Sequence, residues 1–251
     1  MIDLASRTQQ AVILVGGEGR RLGSLTATQP KPLISVGGVP FLEHLVWRCR
    51  ANGISRILLL SGYLSDQVVA FAEEAARRLP ELTFDVSIEP TPLGTAGALR
   101  HARPLLDANF FLMNGDSLFD IPWRSMVDDS KNDALAIMAL RQVADANRYG
   151  LVTVVDGTVK AFSQLHEKAG PALVNAGLYW MRNCITEIIP SGVSSLEHDI
   201  FPILAANSCL YAHVADGHFI DIGVRNDLKL AEQLVPKWTG EFANKRAGFQ
   251  R

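Results

Sequence analysis

A group of glycines followed by cations near the N-terminus carries the strongest chemical signal of this chain. The glycines follow the apolar run 11–15, which predicts a buried strand, and they lie within four residues: Gly16, Gly17 and Gly19. The cations come next: Arg20, Arg21 and, between two prolines, Lys31. A glycine turn lets backbone N–H groups approach a bulky anion, and nearby fixed cations neutralise its charge. The segment therefore predicts a polyphosphate-binding turn.

The same segment differs from two other phosphate loops. A dinucleotide-binding fingerprint requires glycine at the position of Leu22 and an acid at the end of the second strand, which the run 57–63 lacks. A P-loop requires Gly-Lys followed by Ser or Thr after four spacer residues, and the segment has no such run. The glycines by themselves would also fit an ordinary strand-to-helix turn, but the cations that follow them favour a phosphate-binding turn.

Two aspartates follow or interrupt apolar runs farther along the chain. Asp116 comes just after the apolar run 110–113, and an acid beyond the carboxyl end of a parallel strand lies where open α/β sheets bind ligands. Asp221 stands between apolar residues, where a charge is costly unless it is paired or bound to a metal. The alternatives are a turn in which Asp116 bonds its own backbone, and a helix cap at Asp221.

The run Gly-Gly-x-Gly-x-Arg-Leu followed by Pro-Lys-Pro resembles the signature of the sugar-1-phosphate nucleotidylyltransferases. The resemblance covers about residues 10–234, and the chain differs in having Arg20 where the usual pattern has Thr. It implies a Rossmann-like nucleotidyltransferase fold, with Mg²⁺ as the cofactor held by Asp116 and Asp221. It also implies the reaction, in which a sugar 1-phosphate attacks the α-phosphorus of a nucleoside triphosphate and pyrophosphate leaves.

Charge neutralisation is the chief requirement of this implied reaction. The attacking phosphate is largely ionised because its second pKa is about 6, so it needs no general base. Two polyanions must instead be brought together, which requires positioning and nearby cations. The resemblance implies three catalytic residues: Arg21 on the leaving phosphates, Lys31 on the α-phosphate or the incoming phosphate, and Asp116 on the metal. The nucleotide is also expected to contact the turn itself, at Gly16, Gly17, Gly19 and Arg20.

The run 92–97, Pro-Leu-Gly-Thr-Ala-Gly, resembles the segment that forms the nucleobase wall in this family. The resemblance implies that Gly94, Thr95 and Gly97 lie beside the base, where glycine allows a close approach to a flat ring. A Thr95 that caps the following helix is the alternative. The carboxylate of Glu89 can accept two hydrogen bonds from guanine, whereas it would repel a uracil or thymine carbonyl. Glu89 therefore favours GTP, unless its side chain faces away.

The sugar 1-phosphate is expected to bind in the second half of the chain. The resemblance implies contacts from five residues: Tyr149, Gly150, Glu167, Lys168 and Asn175. The Phe-x-Glu-Lys run of the family is interrupted here, so either a short insertion displaces the pair to Glu167 and Lys168, or Gln164 and Leu165 replace it. We favour Glu167 as a hydroxyl acceptor and Lys168 as a phosphate contact. An exposed loop pair is the alternative.

Among the branches of the family, the chain most resembles the short guanylyltransferases that act on D-glycero-α-D-manno-heptose 1-phosphate. The runs that carry this likeness are 87–95, 110–120 and 219–223. Mannose-1-phosphate guanylyltransferases and N-acetylmuramate-1-phosphate uridylyltransferases share much of them and are alternatives. The implied product is a nucleotide sugar for surface polysaccharide, such as capsule or lipopolysaccharide. An inactive regulatory subunit that binds nucleotide sugars is the rival from another class, and the retained Lys31 and aspartates favour an enzyme.

Alternating strands and helices must position these residues in the first half of the chain. Four strands are predicted there: 11–15, 57–60, 84–88 and 110–113. Three helical patterns accompany them: apolar residues at helical spacing over 42–49, and helices over 67–79 and 94–103. This alternation predicts an α/β fold with a doubly wound, mostly parallel mixed sheet that is covered on both faces. In the second half, Asp156-Gly157 predicts a hairpin between the strands 151–155 and 158–162. Two further helices are expected: 197–206 and 226–234.

The elements predict one nucleotidyltransferase domain over residues 1–235. Its NTP-binding half covers about 10–120, its sugar-phosphate-binding half covers about 121–235, and a polar tail, loose or docked, follows over 236–251. We expect no C-terminal β-helix of hexapeptide repeats. For His198, we favour a capping-box helix start with the histidine on the surface.

The composition of the chain limits the kinds of molecule that it is expected to bind. The chain has 251 residues, of which 48% are hydrophobic, and a formal net charge of −2 with scattered basic residues, which argues against nucleic acid. Its three cysteines are far apart and fit a reducing cytosol. No apolar run approaches the roughly 18 residues of a membrane span. We expect a cytoplasmic protein that binds an NTP and a sugar 1-phosphate but no membrane. The oligomeric state is open, with a homodimer as one option.

Overall fold

A nine-stranded mixed sheet forms the centre of the computed structural model, which describes residues 8–128, 133–144, 150–163 and 171–244. In chain order its strands are β1 (Gln10–Leu14), β4 (Arg56–Ser61), β5 (Thr83–Ile88), β6 (Asn109–Asn114), β8 (Ala136–Val143), β9 (Leu151–Val155), β10 (Thr158–Ser163), β11 (Ala172–Arg182) and β12 (Leu210–Val214). Two small ladders lie outside it, and they join β2 (Ser35–Val36) to β3 (Val39–Pro40) and β7 (Ser117–Asp120) to β13 (His218–Asp221).

The strand order is β5-β4-β1-β6-β11-β8-β12-β10-β9. The strands β5, β4, β1 and β6 are parallel, as the alternation of the first half predicted. Beyond β6 the sheet is largely antiparallel, and among the strands of the described ranges only β8 and β12 form a further parallel pair. The prediction of a mostly parallel sheet therefore holds for the first half alone. Hairpin connections join antiparallel strands directly, whereas a parallel pair needs a longer crossover.

Helices cover both faces of the sheet, and the predicted α/β class with a mixed sheet is confirmed. The helices are α1 (Phe41–Ala51), α2 (Ser65–Arg78), α3 (Gly94–His101), α4 (Trp123–Asp128), α5 (Phe201–Ala206) and α6 (Arg225–Asn244). Side chains from α1, α2, α4 and α6 form one apolar core, and side chains from α3 and α5 form the other. Alternate residues of β1 enter opposite cores, with Ile13 in the first and Val12 in the second, because neighbouring side chains of a strand point to opposite faces. No helix in the described ranges has both the length and the apolar character to cross a membrane.

The adjacent strands β1 and β6 determine where the predicted chemistry lies. The chain leaves β1 toward β4 and β5 on one side and returns as β6 on the other side, so β1 and β6 flank the point where the strand order reverses. Ligands of open α/β sheets bind outside the carboxyl ends of strands at such a point. The glycine turn follows β1 and Asp116 follows β6, and a hydrogen bond of 3.0 Å from Gly115 N to Leu14 O joins the two strand ends.

The C-terminal helix is longer than the sequence predicted. A helix over 226–234 and a polar tail from 236 were expected, but α6 continues through Pro236 to Asn244. This helix docks on the β2–β3 hairpin through Glu232 and Pro236 and on α1 through Thr239. Glu232 accepts a hydrogen bond of 2.7 Å from Gly37 N, and Thr239 Oγ1 lies 2.8 Å from Nδ1 of the buried His44. These contacts with distant residues stabilise the helix beyond residue 234, where the local sequence predicted no helix.

Two neighbouring glycines of the β2–β3 turn test this docking. Gly37 and Gly38 both have positive φ angles, 62° and 84°, but a side chain at 37 would overlap Pro236 whereas one at 38 meets nothing within 4 Å. At either position, alanine should lower the unfolding free energy by about 1–2 kcal/mol because a residue with a Cβ atom is strained at positive φ. Gly37→Ala should lose about 1–3 kcal/mol more because its Cβ atom overlaps Pro236. Urea unfolding measures both variants. Equal losses would contradict the packing of Pro236 on this turn.

Candidate active site

A large cleft opens at the carboxyl ends of β1 and β6, with a volume of about 1190 Å³. Most residues predicted to bind substrates line it: Gly16, Gly17, Gly19, Arg20, Arg21, Lys31, Glu89, Gly94, Thr95, Asp116, Gly150, Asn175 and Asp221. Gly97 is absent from its wall. The predicted residues Tyr149, Glu167 and Lys168, and the alternative pair Gln164 and Leu165, lie outside the described residues.

The glycine turn leads directly into a short 3-10 helix, Arg20–Thr26. Gly19 precedes this helix with φ 64°, and a Cβ atom there would come within 2.9 Å of Thr26 and 3.1 Å of Lys31. Glycine is thus required by the backbone angle and by the packing of the Lys31 stem. The helix carries both arginines to the cleft. Arg21 is exposed there, whereas Arg20, for which an extra phosphate contact was one expectation, forms an ion pair with Glu18 of the turn.

The ammonium group of Lys31 is fixed against Asp116. The residue is 8% exposed, and its Nζ lies 2.6 Å from Asp116 Oδ2. Proline residues on both sides hold the short 3-10 turn Lys31–Leu33, because proline restricts its own φ and the residue before it. A solvated loop lysine is therefore excluded, and the ammonium lies at the cleft with little freedom.

The structure brings Asp116 and Asp221 together. Oγ of the buried Ser117 lies 3.3 Å from Asp116 Oδ1 and 3.2 Å from Asp221 Oδ2. The β7–β13 ladder produces this contact, because it pairs Ser117 with Asp221, and Ile222 N donates to Asp116 O at 2.8 Å. Two carboxylates side by side suit Mg²⁺, which prefers oxygen ligands and completes its shell with water and phosphate oxygens. Within the described ranges no group of three or more His, Cys, Asp or Glu side chains forms a fuller protein cage.

The carboxyl group of Asp221 lies in surroundings that disfavour its charged form. Burial and then the charge of Asp116 raise the pKa of Asp221. The ammonium of Lys31, the N–H of Gly223 and the hydroxyl of Ser117 lower this pKa in part. The site therefore holds more negative charge than its own protein cations balance, which is the condition in which a divalent cation binds well.

The raised pKa of Asp221 predicts a stability that depends on pH. Because the folded carboxyl binds its proton more tightly than the unfolded one, the free energy of unfolding falls as pH rises from the ordinary pKa of 3.8 through the raised folded value. Asp221→Asn should remove this loss and make the metal-free protein more stable than the wild type at neutral pH. The difference should vanish at low pH. Urea unfolding in EDTA over a pH series measures it, and a less stable variant at neutral pH would show that the lost hydrogen bonds outweigh the repulsion.

Glu89 faces the cleft beside the glycine turn. Its Oε2 accepts a hydrogen bond of 2.8 Å from Leu93 N, which closes the loop 90–93, and its Oε1 lies near Gly16 and Gly62. Burial is the main cause that raises the pKa of Glu89, and the bond from Leu93 opposes it. One carboxylate oxygen thus fixes the loop while Glu89 lines the cleft, and its contact with the base stays a prediction.

The segment 92–97 differs in part from its predicted role. Side chains at Gly94 and Gly97 would collide with the backbone of residues 192–194, so both glycines make room for protein and not only for a flat ring. Gly97 is buried in this contact, and we correct its assignment from base binding to packing. Thr95 does not cap α3. Its Oγ1 instead accepts a hydrogen bond of 2.8 Å from Leu196 N.

The wall of the cleft formed by β11 and the turn after Ser195 contains a polar cluster that the sequence identified only in part. Asn175 was predicted, and its Nδ2 lies 2.7 Å from Tyr179 OH and 3.4 Å from Glu197 Oε1. Tyr179 and Glu197 also line the cleft. The signal that could have identified Glu197 is its position beside Ser195, which does cap the turn as expected, since Ser195 Oγ accepts from His198 N at 3.2 Å.

Comparison with known proteins supports the resemblance. The sequence profile of the Nucleotidyl transferase family matches residues 10–237. A mannose-1-phosphate guanyltransferase of Yarrowia lipolytica is 33% identical over 226 residues, 87% of this chain and 61% of that protein. The D-glycero-alpha-D-manno-heptose 1-phosphate guanylyltransferase of Aneurinibacillus thermoaerophilus is 31% identical over 229 residues, 89% of this chain and 97% of that protein. The chain thus spans about three fifths of the first relative and nearly all of the second.

Solved structures agree with this result. HddC from Yersinia pseudotuberculosis, crystallised with GMP-PN, superposes with a TM-score of 0.79 at 29% identity over 90% of this chain and 99% of that one. The inositol-1-phosphate CTP transferase of T. maritima shares the fold, with a TM-score of 0.77 at 19% identity over 92% of this chain and 96% of that one. From the glycine turn, the paired aspartates and the match over residues 10–237, we conclude that this chain belongs to the nucleotidyl transferase family of enzymes.

Proposed function

We propose that the protein is a sugar-1-phosphate guanylyltransferase, which transfers GMP from GTP to a sugar 1-phosphate and releases pyrophosphate. The observation that carries this proposal is the convergence of the glycine turn, Lys31 and the pair Asp116 and Asp221 at one end of a single cleft. A phosphate-binding turn beside a cation and two metal-type ligands suits phosphoryl transfer better than hydrolysis through a covalent intermediate.

The reaction forms one bond and breaks one. An oxygen of the sugar phosphate attacks the α-phosphorus of the nucleotide, and the bond from that phosphorus to the bridging oxygen of the β-phosphate breaks. The attacking oxygen is already ionised, so no protein base has to remove a proton. The backbone N–H groups of the turn would hold the phosphates, Arg21 would neutralise the leaving pyrophosphate, and Lys31 would neutralise the charge that develops on the α-phosphate. Asp116 and Asp221 would hold Mg²⁺, which supplies charge neutralisation and alignment of phosphate oxygens when bound.

Glu89 supports guanine as the base. Its carboxylate is fixed beside the turn, and a carboxylate can accept hydrogen bonds from the N1–H and amino group of guanine. The names of the relatives from Yarrowia and Aneurinibacillus, and the GMP-PN bound to HddC, support the same base.

For the sugar, we propose a ring of the manno configuration. D-glycero-α-D-manno-heptose 1-phosphate is the first candidate, because the match covers 97% of the relative that is named for it. Mannose 1-phosphate is the second candidate, supported by the 33% identity to the Yarrowia protein. The two sugars share the manno-configured ring and differ at its exocyclic end.

Pyrophosphate release with Mg²⁺ tests the proposal. The assay combines each of four NTPs with a panel of sugar 1-phosphates that includes mannose, the manno-heptose, glucose and N-acetylmuramate. We expect turnover with GTP and a manno sugar, together with the largest increase in Tm from GTP and Mg²⁺. Tight binding of a nucleotide sugar without any turnover would favour a regulatory subunit, and turnover with UTP would overturn the role of Glu89.

A further inference from the structure

Glu197 presents a carboxylate to the same cleft, on the wall that also carries Asn175 and Tyr179. It lies in a π-helical turn, Leu196–Ile200, whose first and last side chains are buried in the core. The residues between them are exposed, and Glu197 and His198 line the cleft. Single π turns are rare and occur frequently at functional sites. The turn therefore presents Glu197 to the cleft, within reach of Asn175.

Hydrogen bonds that do not involve the Glu197 side chain hold this turn in place. Ser195 Oγ accepts from His198 N, and Asp199 Oδ2 accepts from Ser195 N at 2.7 Å. Leu196 N donates to Thr95 Oγ1, which ties the turn to α3. The backbone of Glu197 is thus fixed by its neighbours, and its carboxylate is not needed to hold the turn.

The amide of Asn175 is fully engaged with protein atoms. Its Oδ1 accepts a hydrogen bond of 3.0 Å from Gly177 N, and its Nδ2 lies within reach of both Tyr179 OH and Glu197 Oε1. An amide NH₂ has two donors, so a contact of Asn175 with a sugar would have to replace one of these bonds. A carboxylate has about four acceptor sites, of which Asn175 takes one.

The charge of Glu197 determines what it can bind. Although Glu197 is accessible from the cleft, the protein around it partly excludes water, and this desolvation, together with the nearby Asp116, raises the pKa of Glu197, whereas His198 and Arg21 lower it. A carboxylate in this position repels phosphate but accepts hydrogen bonds from hydroxyl groups. It would therefore favour one orientation of a sugar phosphate, with the hydroxyls at Glu197 and the phosphate toward Lys31. Apolar side chains of Val152, Phe162 and Pro202 line the same region and suit the C–H surface of a sugar ring.

We propose that Glu197 is the residue that accepts hydrogen bonds from two neighbouring hydroxyls of the sugar ring, with Asn175 and Tyr179 as positioning residues that orient its carboxylate. This inference rests on the proposed function and extends it to the residue that selects the sugar. It also reassigns Asn175, whose expected contact with the hydroxyls passes to Glu197.

Calorimetric titration with GDP-α-D-mannose and with GDP tests the inference on the full chain. Glu197→Gln should weaken GDP-mannose binding about 10- to 100-fold, the usual loss when a charged hydrogen-bond partner is removed, and should leave GDP binding unchanged. Glu187→Gln is the matched control, because Glu187 is exposed and pairs with the distant Arg103. If Glu197 had only a structural role, Glu197→Gln would weaken the binding of both GDP-mannose and GDP and would lower the Tm.

Deoxy analogues identify the contacts. We expect GDP-mannose that lacks one of two adjacent hydroxyls to bind the wild type about 10-fold more weakly than intact GDP-mannose. Glu197→Ala should bind the deoxy analogue and intact GDP-mannose equally well. Two results would overturn the inference and leave the proposed function intact. The first is that removal of the hydroxyl weakens binding to Glu197→Ala as much as it weakens binding to the wild type. The second is that Glu197→Gln binds GDP-mannose as tightly as the wild type does. If the wild type binds GDP-mannose no more tightly than GDP, the proposed manno sugar fails, and the inference fails with it.

Discussion

Asp116→Asn should lower kcat by about 10²-fold or more, by analogy with the loss of one charge-stabilising group in other active sites. The carboxylate of Asp116 contacts Lys31 Nζ at 2.6 Å and shares Ser117 Oγ with Asp221. Asparagine has nearly the same shape but no charge, so it would give up the ion pair and would be a poor ligand for Mg²⁺. The fold should persist, because the side chain is partly exposed at the cleft and lies outside the apolar core.

The measurement is pyrophosphate release at saturating substrates, combined with Mn²⁺ titration of the variant and the wild type. Asp156→Asn is the matched control, since Asp156 lies in the β9–β10 turn with φ 50°, a conformation that asparagine tolerates well. The control should keep full activity. Near-normal turnover of Asp116→Asn would rule out its proposed role in metal binding and would remove the main support for the mechanism.

Lys31→Met should lower kcat by at least about 10²-fold, as much as Asp116→Asn does. Methionine keeps an apolar stem that can pack beside Gly19, but it removes a charge held at a position that is only 8% exposed. Water cannot replace a positioned ammonium at such a site, so the developing charge on the phosphate loses its stabilisation. Asp116 and Asp221 also lose the cation that offsets their repulsion.

Steady-state kinetics separates these two effects of Lys31→Met. A fall in kcat with little change in the KM for GTP indicates a group that acts in the transition state, whereas a rise in KM alone indicates ground-state binding. Lys229→Met, at an exposed position of α6, is the control and should behave as the wild type. A variant that retains more than half of the wild-type kcat would refute the assigned role of Lys31.

Local features of the fold could be predicted from the sequence because they depend on neighbouring residues. The periodicity of apolar residues placed β1, β4, β5 and β6 within one residue of their observed bounds. The Asp156-Gly157 pair gave the hairpin of β9 and β10, where both residues adopt positive φ as such turns require. The glycine turn was evident for the same reason, since its glycines and cations lie within one segment.

Strand direction in the second half and the end of α6 could not be predicted in this way. Whether β11 pairs antiparallel with β6 depends on the path of the chain around the sheet, which no local pattern encodes. The helix passes Pro236 because residues of the β2–β3 hairpin and α1 contact Glu232, Pro236 and Thr239, and the hairpin and α1 lie about 195 positions earlier in the chain.

By itself, the sequence determined that this chain forms an α/β fold and carries a polyphosphate turn, and its resemblance to a family suggested which aspartates act together. Only the tertiary structure decided which side chains meet: the β7–β13 ladder joins Asp221 to Asp116 through Ser117, and the turn after Ser195 brings Glu197 to Asn175. It also decided that Gly97 packs against protein. The physical reason is that residue spacing encodes local backbone geometry, whereas contacts between distant segments follow from the register and packing of the whole sheet.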